Sequence, residues 1–267
     1  MIRTPVGALA LAATAMALPT LPTASAEAAP AWRVTAHATT TTITLGHKVH
    51  LHGRVRPGAA GTYVRLEEQY APGKPWRLQR QARVRADSTY TTWDRPTQNH
   101  ARLYRVVVPA SRAHARGVSP TVAVSVYAWV QLSSLPAVNQ RGFVTGQAVD
   151  INGVTYPGSL KAYPADPGSS TPPPAPVSVE YNLDHKCTAM RATFGLADSS
   201  ETGAQGSVSL LVDGSQAYAG TFGVGQSAAW SMPFTTAPLK LHFDAQSLSP
   251  GVSSDPAVGT PEVLCTQ

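Results

Sequence analysis

The sequence of 267 residues predicts an all-β protein built from two β-sandwich domains. Apolar and polar residues alternate with period two over many short segments, which is typical of half-buried strands. Only 13% of the residues are charged, and no long amphipathic helical pattern follows the first residues. The balance of charge changes sign near residue 129, which indicates a division into two domains.

The first 26 residues have the pattern of a secretory signal peptide. Arg3 precedes an Ala/Leu-rich run through Leu18, and the small residues Ala24-Ser25-Ala26 provide a cleavage site. We therefore expect the mature protein to begin at Glu27 and to be secreted into the extracellular medium. No second apolar run reaches the length of about 18 residues that a membrane span requires, so we expect no span.

The two cysteines, Cys187 and Cys265, are expected to form a disulfide because thiols oxidise outside the cytoplasm. The bond would close a loop of about 78 residues and stabilise the fold by roughly 4 kcal/mol in the chain-entropy description. Such a bond is a structural device, so neither cysteine is expected to be a nucleophile.

The first predicted domain covers residues 39–128, after a short N-terminal mature segment, 27–38. Within 49–56 the apolar and polar positions alternate, and the polar set is His50, His52, Arg54 and Arg56. About seven such segments in roughly a hundred residues are the pattern of an immunoglobulin-like sandwich. The segments Ile43–Val55 and Tyr104–Val106, with Trp76, resemble the Ig-like modules of secreted actinobacterial proteins.

The second predicted domain covers residues 130–267. Asn152-Gly153 between apolar flanks predicts a two-residue hairpin turn. A Pro/Ser-rich insert, 164–176, interrupts the strands because consecutive prolines favour extended polyproline conformation. The sequence leaves open whether this insert is a loop within the domain or a linker between domains.

Six motifs of the second domain occur in the order found in one family. They are Leu132–Leu135, Gly153–Tyr156, Tyr181–Leu183, Met190–Asp198, Gly206–Gly214 and Leu239–Leu241. This order is similar to NPCBM, the "novel putative carbohydrate-binding module" of secreted bacterial proteins. The resemblance implies a galactose-binding-like jelly roll with carbohydrate as its ligand, and places the two cysteines on an early and the last strand. The family's histidine after the Tyr turn and its late tryptophan are absent here, in 158–163 and 255–261.

The residues carry no pattern of a catalytic site, and we predict that the protein is not an enzyme. A Gly-x-Ser-x-Gly elbow is absent, and the few carboxylates are scattered over loops instead of flanking one bond. His47, His50 and His52 could contact a metal, but neighbouring arginines disfavour a bound cation, so no metal is predicted there. The resemblance allows a structural calcium held by Asp198, Glu201, Asp213 or Asp255, whereas solvated loop carboxylates are the favoured interpretation.

Two kinds of ligand contact are predicted. Arg54, Arg56, Arg83 and Arg85 suit phosphate or carboxylate groups of an anionic cell-wall polymer; alternatively they only keep an exposed sheet soluble. An exported protein does not meet nucleic acid as its ordinary target, so no nucleic-acid partner is expected. Sugar contacts in the second domain are assigned to Tyr156, Tyr163, Trp230, Asp198 and Asp255.

The prediction is therefore a secreted, non-catalytic protein that binds carbohydrate or a cell-wall glycopolymer through its second sandwich. The alternative is a structural or protein-interaction module of the cell envelope without a sugar site. The sequence does not determine the oligomeric state or the identity of the ligand.

Overall fold

The computed structural model describes residues 29–168 and 175–267, and this part of the chain is all-β. It contains twenty strands and one short 3₁₀ helix, Leu132–Ser134. The predicted all-β fold of β-sandwiches is therefore confirmed. In the described part no helix is long and apolar enough to cross a membrane. The predicted signal peptide and the centre of the Pro-rich insert, 169–174, lie outside the described residues.

The first sandwich is formed by nine strands and the beginning of a tenth. They are β1 (Arg33–Val34), β2 (His37–Ala38), β3 (Thr42–Thr44), β4 (Val49–Arg56), β5 (Tyr63–Gln69), β6 (Arg77–Arg83), β7 (Thr89–Asp94), β8 (Arg102–Val108), β9 (Gly117–Val118) and β10 (Val122–Gln131). In sheet A the central β4 pairs with β1, β2 and β7. Sheet B has the order β6-β5-β8-β10-β3, with β9 beside β8.

The alternation of the sequence explains how the first sandwich packs. Val49, Leu51 and Val55 of β4 are fully buried, and they join a core with Val64 and Leu66 of β5. Strands β1 and β2 lie within residues 27–38, which were predicted only as a short N-terminal segment before the first domain. Each has two residues, which is too short for a period-two pattern to be recognised.

The second sandwich contains ten strands. They are β11 (Ala137–Arg141), β12 (Phe143–Ile151), β13 (Val154–Ala162), β14 (Val177–Asn182), β15 (Cys187–Leu196), β16 (Gln205–Val212), β17 (Ser215–Gly223), β18 (Ser227–Pro233), β19 (Lys240–Ser247) and β20 (Pro256–Cys265). Sheet C has the order β12-β13-β20-β15-β18, and sheet D has the order β11-β14-β19-β16-β17. The Pro-rich insert joins β13 of sheet C to β14 of sheet D, so it connects two strands of one sandwich.

The predicted disulfide is confirmed: Cys187 on β15 is bonded to Cys265 on β20. The two residues lie directly opposite each other in the antiparallel ladder. Since β20 lies between β13 and β15, the bond strengthens the middle of sheet C.

Strand β10 belongs to both sandwiches. Its first part pairs with β8 and β3, and its last four residues, Ala128–Gln131, pair with the end of β20. The two hydrophobic cores on either side are nevertheless separate. In the loop after β7, the Asn99 side chain donates to the Cys265 carbonyl at 3.2 Å, and the Gln267 amide donates to the Asn99 carbonyl at 2.7 Å. The division into two domains at residue 129 stays a prediction.

Candidate functional site

The outer side of sheet A collects positive charge and one tryptophan. The alternation of β4 exposes His50, His52 and Arg54, and the β4–β7 register places Trp93 beside His50. On the other side of β4, His37 of β2 lies opposite His52, with ring centres 5.9 Å apart. We call this surface the basic face, defined by His37, Lys48, His50, His52, Arg54, Arg80, Arg85 and Trp93.

Trp93 is the aromatic centre of the basic face. The guanidinium carbon of Arg80 lies 3.5 Å from the ring centre, and Lys48 Nζ lies 3.9 Å from it. Such cation–π contacts contribute about 0.5–1 kcal/mol each at exposed sites. They hold two cations over one half-buried ring, so a polymer crossing this point would meet concentrated positive charge.

Arg54 of β4 and Arg85 of the loop between β6 and β7 lie at the same end of the basic face. Thr89 lies opposite Arg54 in the β4–β7 ladder, and the Arg85 amide donates to the Thr89 carbonyl at 2.8 Å. Both arginines line an open hollow of about 430 Å³ together with His37 and His52. The arrangement can receive an anionic group from solvent.

The floor of this hollow depends on Gly53. A Cβ at Gly53 would lie 1.8 Å from the Thr35 carbonyl oxygen and 2.7 Å from the Tyr90 hydroxyl. Only glycine permits this approach of two backbone segments. The Tyr90 hydroxyl donates to the Thr35 carbonyl, and burial raises the pKa of Tyr90, so the phenol stays neutral and keeps this bond.

Carboxylates are scarce around these cations. In the described part of residues 29–128, only Arg102 and Arg105 form ion pairs, with Glu68 and Glu67. The pKa of Asp87 is lowered first by hydrogen bonds from Thr89 and further by the charge of Arg54. The other 13 Lys and Arg residues of this range have no ion pair with a described carboxylate.

The structure brings together two of the four predicted arginines. Arg54 and Arg85 share the hollow, whereas Arg83 lines a separate depression beside Gly61. Arg56 lies opposite Arg33 at the end of β4. All four predicted arginines are exposed.

The predicted histidines lie on the surface and do not assemble a metal site. His47, His50 and His52 are exposed, and His50 and His52 share one face of β4. Among residues 29–168 and 175–267, no group of three or more His, Cys, Asp or Glu side chains could hold a metal ion.

Two of the predicted sugar-binding aromatic residues are used in packing. The Tyr156 ring packs against Gly259, where an added Cβ would lie 2.7 Å from the ring. Trp230 makes edge contacts with Phe194 and Tyr218, each with ring centres 5.9 Å apart. Tyr156 belongs to the small cluster of Ile151 and Trp230 to the main core, so the two rings do not form one surface.

The other predicted residues of the second sandwich lie near one another. Asp198 accepts the amides of Asn152 and Gly153, both at 2.8 Å, and thereby holds the predicted hairpin turn. Asp255 is paired with Lys161 at 2.9 Å, and the same ammonium lies 4.9 Å from the ring centre of Tyr163. Tyr163 is 47% exposed, more than the other two aromatic residues, although Lys161 lies over its ring.

The four loop carboxylates considered for calcium all have hydrogen-bond or ion-pair partners within the protein. Asp198 accepts two backbone amides, and Asp255 is paired with Lys161. Asp213 accepts the amides of Leu239 and Lys240, and Glu201 accepts the amide of Ser253. They do not converge on one point within the described residues. Their oxygens stabilise turns instead.

A polar network on sheet D was not predicted. His242 contacts Glu180 Oε1 at 2.9 Å through Nδ1 and Asp244 Oδ1 at 2.8 Å through Nε2. Hydrogen bonds from Lys240, then Asn139, then His242 lower the pKa of Glu180 to about 2. The alternation of polar residues at 240, 242 and 244 could have revealed the exposed side of β19, but the Glu180 partner depends on strand register.

No family model matches the chain, and no curated protein matches it. One similar solved structure is the CBM36-1 domain of a multidomain xylanase from the hindgut metagenome of Trinervitermes trinervoides. The two are 13% identical, and the match covers 51% of this chain and 95% of that chain with a TM-score of 0.31. A likeness at that TM-score carries no argument about function.

Proposed function

We propose that the protein is a secreted, non-catalytic binding protein for an acidic glycopolymer, and that the basic face makes the main contact. The observation that carries the proposal is the set of unpaired cations around Trp93 and the Arg54–Arg85 hollow. Guanidinium groups match phosphate and carboxylate, the groups that an acidic glycopolymer repeats along its length.

The dimensions of the basic face favour a polymer over a small molecule. Its cations extend along β4, whose eight residues span roughly 25 Å in extended conformation. Many weak contacts of one sign along such a strip give affinity to a repeating polyanion and would give little to a single ion.

A sugar contact in the second sandwich is a second proposal, and it rests on Tyr163 alone. Its exposed ring lies beside Lys161, whose charge is neutralised by Asp255. This weaker contact would add avidity if one chain of polymer reached both sandwiches.

The test is binding of the mature protein to polygalacturonate and to poly(glycerol phosphate), with dextran as the neutral polymer. We expect both anionic polymers to bind and dextran not to bind. The Arg54→Gln/Arg85→Gln variant should weaken anionic binding by roughly tenfold or more, because it removes two charge-assisted contacts.

A matched control is Arg65→Gln/Arg116→Gln, which removes the same charge from exposed, unpaired positions in sheet B and the loop before β9. This control should retain most of the affinity. Equal losses of affinity in both double variants would contradict a defined binding face. Failure of both anionic polymers to bind would overturn the proposed function.

Tyr163→Ala, measured in the same assay, tests the second contact.

A further inference from the structure

A cleft lies at the end of the first sandwich, apart from the Arg54–Arg85 hollow. Its volume is about 570 Å³, within the range of roughly 300–1,000 Å³ typical of ligand sites. It opens between the edges of the two sheets, where β6, the end of β7 and the start of β8 meet. Its main lining residues are Glu68, Tyr70, Arg77, Asp94, Arg95 and Arg102.

The floor of the cleft is a buried ion pair. Arg102 and Glu68 bond directly, with side chains 6% and 8% exposed, and Gln79 donates to the second Glu68 oxygen at 2.6 Å. Arg102 also donates to the Gln98 carbonyl at 2.8 Å, which fixes the loop that closes one side. The buried Nε of Arg102 has no acceptor among the described residues, so one donor of the floor is left over.

The walls offer three kinds of group to a ligand. Arg77 and Arg95 are exposed cations without an ion pair to a described carboxylate. The Tyr70 ring is half-buried, with the Arg77 guanidinium 5.8 Å from its centre. Asp94 accepts the Tyr104 hydroxyl through Oδ2 at 2.8 Å, and no described residue donates to its Oδ1.

These groups match the chemistry of one acidic sugar unit. Two guanidiniums can bind a carboxylate or a phosphate, the tyrosine ring can contact the apolar side of a sugar, and a carboxylate oxygen can accept a sugar hydroxyl. Asp94 follows Trp93 directly in the chain, and Arg80 over that tryptophan is three residues from Arg77. The cleft therefore borders the part of the chain that carries Trp93 and Arg80 of the basic face.

We propose that this cleft is a specific subsite that binds the anionic terminal unit of the glycopolymer, while the basic face holds the chain that follows. The inference rests on the proposed function for its ligand class. The cleft supplies selectivity for an acidic sugar unit, and the open face supplies length-dependent affinity.

The experiment is calorimetric titration of the mature protein with short oligomers, too short to use the whole face. The probes are trigalacturonate, tri(glycerol phosphate) and neutral galactotriose. We expect an anionic trimer to bind and galactotriose to bind at least about tenfold more weakly, since it lacks the charge-assisted contacts. Preference between the two anionic trimers identifies the carboxylate or the phosphate as the recognised group.

Arg77→Gln/Arg95→Gln should weaken trimer binding by roughly tenfold or more, while Arg65→Gln/Arg116→Gln, at the other end of β8, should not. Tyr70→Leu should weaken trimer binding without any change of charge. This variant therefore distinguishes contact with the tyrosine ring from electrostatic attraction. Circular dichroism checks that each variant is folded.

Equal losses in the cleft variant and the control variant would overturn the subsite. Failure of all trimers to bind, while long anionic polymers still bind through Arg54 and Arg85, would overturn the subsite and leave the proposed function intact. Failure of both trimers and polymers would overturn both proposals.

Discussion

The two sandwiches use their charged residues in opposite ways. Residues 27–128 contain 15 Lys or Arg and 5 Asp or Glu, whereas residues 129–267 contain 5 and 10. In the described first sandwich only two of the cations are paired with carboxylates. In the described second sandwich three of the five are paired, namely Lys161, Arg191 and Lys240.

This difference indicates where a partner can bind. A cation that already has a carboxylate partner must lose that partner before it binds another anion, whereas an unpaired exposed cation needs only to shed water and counterions. In the second sandwich the charged side chains instead stabilise the fold. Asp198 holds a turn, and Glu180 is the centre of a hydrogen-bonded network. We therefore expect substitutions in the second sandwich to change stability without changing polymer binding.

The largest effect is expected from removing the disulfide. The Cys187→Ala/Cys265→Ala variant should destabilise the second sandwich by about 4 kcal/mol, because the unfolded chain regains the entropy of a long open loop. Polymer binding by the basic face should not change at a temperature where both sandwiches remain folded. Denaturant unfolding measures the stability, and the polymer assay measures the binding. A loss of binding that accompanies the loss of stability would contradict the assignment of binding to the first sandwich.

A somewhat smaller loss of stability, located in the first sandwich instead of the second, is expected from Gly53→Ala. The new Cβ would overlap the Thr35 carbonyl, and relief of that overlap should cost about 3 kcal/mol. Hydrogen exchange of β4 should accelerate while that of β16 stays slow. Gly58→Ala is the control, since its Cβ meets only Ser88 Oγ at 3.9 Å. Similar exchange in both variants would show that the close approach does not matter.

The smallest effect concerns acid stability of the second sandwich. The pKa of Glu180 is lowered from 4.5 to about 2, so its folded form holds a proton less readily than the unfolded chain. Its contribution is present above pH 4.5 and is lost as the pH falls toward 2. In Glu180→Gln the stability should decline less steeply over that window, by under about 1 kcal/mol.

The control for this pH effect is Asp184→Asn, because the Asp184 side chain has no hydrogen bond or ion pair with described residues. Unfolding midpoints measured between pH 2 and 5 should separate the two variants. An identical pH dependence in Glu180→Gln and wild type would contradict the role of the Lys240, Asn139 and His242 contacts.

Local patterns in the sequence predicted the features that depend on neighbours in the chain. The alternation around His50 and His52 gave the exposed side of β4, and the cysteine count gave the disulfide. Asn152 and Gly153 form the expected turn, with positive φ values of 51° and 73°. In each case the cause is local sterics or burial of one face of a strand.

Features that depend on register between distant strands could not be predicted. Arg54 and Arg85 share one hollow because both pair with Thr89 through the backbone, and the cleft combines residues from three separate segments. Likewise, the sequence does not distinguish an aromatic residue that packs in the core, such as Trp230, from an exposed one, such as Tyr163. The two cations over Trp93 come from β6 and from the turn before β4, which no local pattern in the sequence brings together.

The central claim is that unpaired cations of the first sandwich bind a polyanion, and the salt dependence of polygalacturonate binding tests it most directly. We predict that log Kd rises linearly with log salt concentration, and that the slope becomes shallower by about one for each basic-face cation removed. The Arg54→Gln/Arg85→Gln variant should therefore lose about two units of slope. Binding that does not respond to salt, or an unchanged slope in that variant, would contradict the account.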